Sequence, residues 1–137
     1  MIMNDIRKEI VIKALIEEVW KFVGTADGLA AWFMPNDMEP VEGESFELQA
    51  GPWGKSSCRV TRVQKPYALA FDWGKDWNLS FILEGQGNQT GLTLIHGGWH
   101  AGGETEFGEP HDVVQPRMDG GWTGLVQKLK QVAEAKK

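Results

Sequence analysis

The feature that most constrains this chain is its end. After Gly120-Gly121 the sequence runs Trp122-Thr123-Gly124-Leu125-Val126-Gln127-Lys128-Leu129-Lys130-Gln131-Val132-Ala133-Glu134-Ala135, and Trp122, Leu125, Val126, Leu129, Val132 and Ala133 recur at steps of three and four. That period makes an amphipathic helix with one apolar stripe, while Gln127, Lys128, Lys130, Gln131 and Glu134 cover the opposite face. The segments before it alternate at period two, so the stripe has one large partner, a single sheet. A lone long helix gripped by a curved sheet favours an enclosed cavity over a solid core, which points to a small apolar molecule as what is bound.

Residues 7–13 alternate charged with β-branched side chains and read as a first antiparallel strand. Residues 16–23 then change period: Val19, Trp20, Phe22 and Val23 make a short amphipathic helix. Thr25-Ala26-Asp27-Gly28 breaks it before a second short turn with Leu29, Trp32 and Phe33. Pro35 and Pro40 mark a loop. Alternation resumes over 44–49, 55–63, 68–73, 78–84 and 90–96, with Gly85-Gln86-Gly87-Asn88 as turn chemistry between the last two. Glycines crowd residues 97–108, and this irregular stretch, running to Pro116, is where a lid or portal would sit. The expected architecture is α+β: a curved antiparallel sheet of about six strands wrapped around a C-terminal helix from about Val114 to Ala135, with two short helices after the first strand. Residues 1–137 read as one domain, long enough to bury roughly two-thirds of its unfolded surface without a staple or metal.

Composition narrows the function classes. The net charge is −5, with 14 Lys and Arg against 19 Asp and Glu, and no basic stripe for phosphates is visible, so neither nucleic acid nor an anionic membrane surface is an expected partner. No apolar run approaches the roughly 18 residues that span a bilayer, so no membrane insertion is expected. Cys58 is the single cysteine, which excludes an internal disulfide, and the first residues lack a signal-peptide pattern; a reducing cytoplasm is the expected location. Asn78-Leu79-Ser80 and Asn88-Gln89-Thr90 match the glycosylation triplet by chance on that reading. The 7 Trp exceed the usual share for this length, and wide flat side chains are favoured where apolar ligands are held, although core packing accounts for most Trp residues.

Several segments together resemble a known family. Lys8-Glu9-Ile10-Val11-Ile12-Lys13-Ala14 with Glu18-Val19-Trp20 comes first, then Leu29-Ala30-Ala31-Trp32-Phe33 and Leu69-Ala70-Phe71-Asp72-Trp73. Gly91-Leu92-Thr93-Leu94-Ile95-His96 follows, and Gly120-Gly121-Trp122 opens the last helix. In this order, over essentially the whole chain, they resemble homologues of the activator of the heat-shock-protein-90 ATPase, within the START-like, birch-pollen-allergen-like (SRPBCC) superfamily. The resemblance implies the helix-grip fold. It leaves activity open, because that superfamily includes lipid carriers, hormone receptors, cyclases and chaperone activators tied to the stress response. Residues 99–116 depart from the short loop expected there.

Strand parity and helix periodicity turn Phe46, Leu48, Phe71, Trp73, Phe81, Leu94, His96, Trp122, Leu125 and Val126 toward the space between helix and sheet, with Phe33 in the adjoining turn; these eleven are the expected lining of a ligand cavity. His96 is the polar candidate among them, able to hydrogen-bond a ligand hydroxyl or carbonyl, or else a core histidine satisfied by a neighbour. His96 and His100 would lie roughly 13 Å apart along a strand and cannot share an ion. His100, Glu104, Glu106, His111 and Asp112 could converge only by loop folding, and without recognised ligand spacing they read as a solvated polar loop. No metal and no cofactor are therefore expected. Nothing in the sequence marks Cys58 as activated, and no nucleophile elbow, phosphate loop or dinucleotide fingerprint is present, so catalysis is unsupported and no catalytic residue is assigned.

Three function classes remain. The favoured one is binding of a small hydrophobic molecule, lipid-like or aromatic, in a cavity between helix and sheet. The resemblance implies a second, a protein-interaction module with a chaperone as partner. The third is a cyclase or aromatase-like enzyme using a pocket histidine as acid or base.

Overall fold

The computed structural model describes residues 3–135. Six strands form one antiparallel sheet: β1 (Ile6–Ile12), β2 (Ser45–Gln49), β3 (Lys55–Gln64), β4 (Ala68–Trp73), β5 (Trp77–Gln86) and β6 (Gln89–Gly97), in the spatial order β1-β6-β5-β4-β3-β2. Strands β2 to β6 form a meander, and β1 closes the far edge by pairing with β6, Ile6 opposite His96 and Ile12 opposite Thr90. The two edge strands are thus joined by a connection containing α1 (Ile16–Val23) and α2 (Ala26–Ala30), and α3 (His111–Ala135) completes the fold. The sheet curves, aided by a bulge in β3 between Val60 and Arg62.

Alternation along the strands decides which face is buried. Phe46 and Leu48, Cys58 and Val60, Leu69, Phe71 and Trp73, Leu79, Phe81 and Leu83, and Leu92 and Leu94 are buried, and the residues between them are mostly exposed or half-buried. Helix α3 answers with Val114, Trp122, Val126, Leu129 and Ala133, all in the same apolar cluster. Polar ties hold the helix along the β1 edge: Lys8 pairs with Asp119 at 3.0 Å, Lys130 Nζ donates to the Val11 carbonyl at 2.9 Å, and the Lys13 amide donates to Glu134 at 2.8 Å.

Helix α3 starts at His111, three residues before the sequence expectation, with Pro116 inside it. The Pro110 carbonyl explains the early start, since it accepts from the amides of Val113 and Val114 at 3.1 and 3.0 Å. Residues 98–110 are ordered by their own bonds. Thr105 Oγ1 accepts from the Phe107 and Glu109 amides, the Thr105 amide donates to the Glu109 carbonyl at 2.8 Å, and the His111 amide donates to the Gly103 carbonyl at 2.9 Å. Among the described residues no helix is long and apolar enough to cross a membrane.

Candidate functional site

The fold has an open mouth at the N-terminal end of α3. A cavity of about 450 Å³ opens there between three regions: Phe33, Met34 and Pro35 after α2, Gln49 at the end of β2 with Ala50 and Gly51 following it, and Trp73 and Trp77 flanking the β4–β5 turn. Thr105, Phe107 and Glu109 of the loop and Val114, Arg117 and Met118 of α3 form the remaining wall. Its ionisable members, Glu109 and Arg117, pair with each other at 2.8 Å. A larger recess, about 720 Å³, lies at the other end of α3, but Lys13, Glu18, Asn88 and Gln89 line it with only Ala14, Leu15 and Ala133 as apolar partners. Aromatic, apolar walls with few polar groups are what ligand sites require, so the mouth is the candidate.

The eleven residues expected to line one cavity do share one region, but they divide. Phe33 and Trp73 line the mouth. Phe46, Leu48, Phe71, Phe81, Leu94, Trp122 and Val126 are buried in the core cluster, and Leu125 is half-buried against it. Between helix and sheet the aromatic side chains pack on one another: Phe33 stacks on Trp122 at 5.2 Å, Trp73 meets Phe33 edge-on at 5.7 Å, and Phe46 meets Phe71 at 5.0 Å. Sequence reasoning missed Met34, Trp77, Val114 and Met118: Met34 lies in a loop and Trp77 at the start of β5, while Val114 and Met118 lie in the N-terminal turns of α3, ahead of the apolar stripe that begins at Trp122.

His96 lies behind this wall, fully buried among Trp73, Trp77, Trp99 and Trp122. Trp122 Nε1–H donates to His96 Nδ1 at 2.9 Å. The proton of the neutral ring is therefore on Nε2, which has no hydrogen-bond partner. Burial, with a smaller contribution from His111, lowers its pKa from 6.5 to about 3. Cys58 is also inert, its thiol pushed well up by burial and then by Glu106. Glu106 ends a relay that starts at the mouth, in which Trp73 Nε1–H donates to Ser56 Oγ at 2.8 Å and the Ser56 hydroxyl donates to Glu106.

Of the two loop histidines, His111 is buried and His100 is partly exposed. His100 and His111 converge with Asp76 of the β4–β5 turn, their ligand atoms all within 4.8 Å of one another, while Glu104, Glu106 and Asp112 stay outside the group. Gly98 makes this possible: its φ is +92°, and a Cβ there would stand 2.0 Å from the Asp76 carbonyl oxygen. The chain leaving β6 is thereby pressed against the turn, a long-range contact with no local sequence signal.

A family model for activator of Hsp90 ATPase homolog 1-like proteins matches residues 13–134. Among solved structures, protein BH1534 of Bacillus halodurans is 42% identical with a TM-score of 0.87, the alignment covering 98% of this chain and 100% of that one. The Aha1 dimer of Colwellia psychrerythraea is 22% identical with a TM-score of 0.78, over 96% and 97% of the two chains. CalU16 of Micromonospora echinospora is 20% identical with a TM-score of 0.73, over 93% and 73%. The last two show a common fold only. No curated protein matches the sequence. With the family model spanning nearly the whole chain and the fold shared end to end, the protein belongs to the family of activator of Hsp90 ATPase homolog 1-like proteins.

Proposed function

We propose that the protein, acting as one domain over residues 1–137, binds a small flat apolar molecule, aromatic or lipid-like, in the mouth between α3 and the sheet. The observation that carries this reading is the cavity of about 450 Å³ walled by Phe33, Met34, Trp73, Trp77, Phe107, Val114 and Met118. Its size lies within the usual range for small-molecule sites. Burying about 200 Å² of ligand there gains on the order of 5 kcal/mol before association costs, which supports binding no tighter than about a tenth of a millimolar unless a polar group adds to it. Glu109 and Arg117 already neutralise each other at the rim, which supports carriage of an uncharged molecule over acid–base chemistry on it.

Binding should quench tryptophan fluorescence through Trp73 and Trp77 and raise the melting temperature with the logarithm of ligand concentration. Met118→Trp fills the mouth and should abolish both signals, whereas Leu125→Phe, away from the mouth, should preserve them. Silence across a panel of fatty acids, sterols and flavonoid-like aromatics would sink the reading. Family membership then favours the second one, a module that engages a chaperone, supported by the exposure of Phe107 (39%) and Val113 (58%) near the mouth.

A further inference from the structure

Strand spacing excludes His96 and His100 as joint ligands, but the fold assembles a different set. We propose that Asp76, His100 and His111 bind a divalent transition-metal ion of the zinc class, with a further coordination position open to solvent. None of the three lines the mouth, so the proposal stands independently of ligand binding there.

Three observations carry it. Asp76 Oδ2 lies 3.6 Å from His100 Nε2 and 3.6 Å from His111 Nε2, and all the ligand atoms fall within 4.8 Å of one another. Donors around a four-coordinate ion with bonds of about 2.0–2.1 Å stand about 3.4 Å apart, so the two Asp76 separations need to shorten by a few tenths of an ångström and the His100–His111 separation, within 4.8 Å, by up to about 1.4 Å. His111 is fully buried, and its Nε2, facing Asp76, makes no hydrogen bond. A buried polar atom left unpaired is costly, and a ligand would relieve it. The side chains of His100 and Asp76 are 45% and 28% exposed, which provides the entry path and the open position. Two imidazoles and one carboxylate suit zinc, nickel or cobalt better than calcium or magnesium. Trp99 (5.4 Å) and Trp77 (6.3 Å) wall the buried side against His111 and keep water from it.

One bond must give way. The His100 amide donates to His111 Nδ1 at 3.1 Å, so the neutral ring now carries its proton on Nε2. A neutral imidazole bound to metal through Nε2 carries that proton on Nδ1 instead, where it would face the amide. Binding therefore moves the proton from one ring nitrogen to the other and turns the His100 peptide away, in a loop with Gly97, Gly98, Gly102 and Gly103 nearby to absorb the change. Lys75, close enough to influence His111, opposes the ion's charge.

The test is calorimetric titration of the full chain, stripped with chelator, with zinc, and of the same protein with cobalt followed by its visible absorption. The proposal expects saturable uptake of one ion per chain and a shift of the His100 amide resonance. Asp76→Asn and His100→Ala, both at partly exposed positions, should each weaken binding by more than about tenfold, as even outer partners of metal sites do. His111→Gln alters a fully buried side chain and is not needed. Failure to take up one equivalent of either metal, or affinity unchanged in either variant, would overturn the proposal.

Discussion

Acid should loosen this fold through His96, and the size of the effect follows from the structure. The folded protein holds His96 neutral, its pKa lowered from 6.5 to about 3 by burial among four tryptophans and, second, by His111. The unfolded chain takes up a proton at this residue below its ordinary pKa of about 6.5, and the folded chain does not until the pH nears its own lowered value. The unfolded state therefore binds more protons throughout that window, so stability falls as pH falls and the loss stops growing below the folded pKa. Each full pH unit costs about 1.4 kcal/mol, so a shift from about pH 7.5 to pH 5 should remove about 2 kcal/mol through His96 alone. His111, also lowered by burial first and then by His100, adds to the same trend. Urea unfolding at several pH values, in the wild type and in His96→Gln, isolates the His96 part. Glutamine does not titrate and keeps an acceptor for Trp122 Nε1–H, so the variant should lose about 2 kcal/mol less over that range whatever its stability at neutral pH. Parallel stability profiles for the two proteins would refute a neutral buried imidazole.

Three further outcomes follow from single contacts. Ser56→Ala removes the acceptor for buried Trp73 Nε1–H and the donor to Glu106, and should cost about 1–3 kcal/mol in chemical denaturation, with a change in tryptophan emission as Trp73 loses its partner. Gly98→Ala places a methyl 2.0 Å from the Asp76 carbonyl at φ +92°, so it should destabilise by more than about 3 kcal/mol or fail to fold; a near-neutral effect in thermal melting would contradict the described loop path. Cys58, 5% exposed with its thiol pushed up by burial and by Glu106, should resist a maleimide in the native state and react fully in denaturant; rapid native labelling would show the inner face of β3 to be open.

The fold was largely legible because its signals are periodic. Leu69, Phe71 and Trp73, or Leu79, Phe81 and Leu83, fix a strand and its buried face from sequence spacing alone, and the stripe of Trp122, Val126, Leu129 and Ala133 fixes the helix that must cover them. Parity says which side a residue faces but not whether the facing side chains meet. Phe33, Trp73 and Trp122 share a side by parity and period, and in three dimensions their rings pack on one another, with open volume at the mouth beside them. The mouth is built from Met34 and Phe107 in loops, Trp77 at the start of β5, and Met118 in α3 ahead of the stripe that begins at Trp122, so neither period singled them out. The histidine cluster was illegible for a different reason. Asp76 and His111 are far apart in sequence and meet only because β5 and β6 pair along their full length, Asn78 opposite Gly97, which lays the chain leaving β6 across the turn that opens β5. Register sets that meeting, and register belongs to the whole sheet: a one-residue slip of β6 against β5 would turn His96 out of the tryptophan cage and part His100 from Asp76 together. The buried imidazole and the candidate metal site thus depend on the same strand pairing, although neither needs the other chemically.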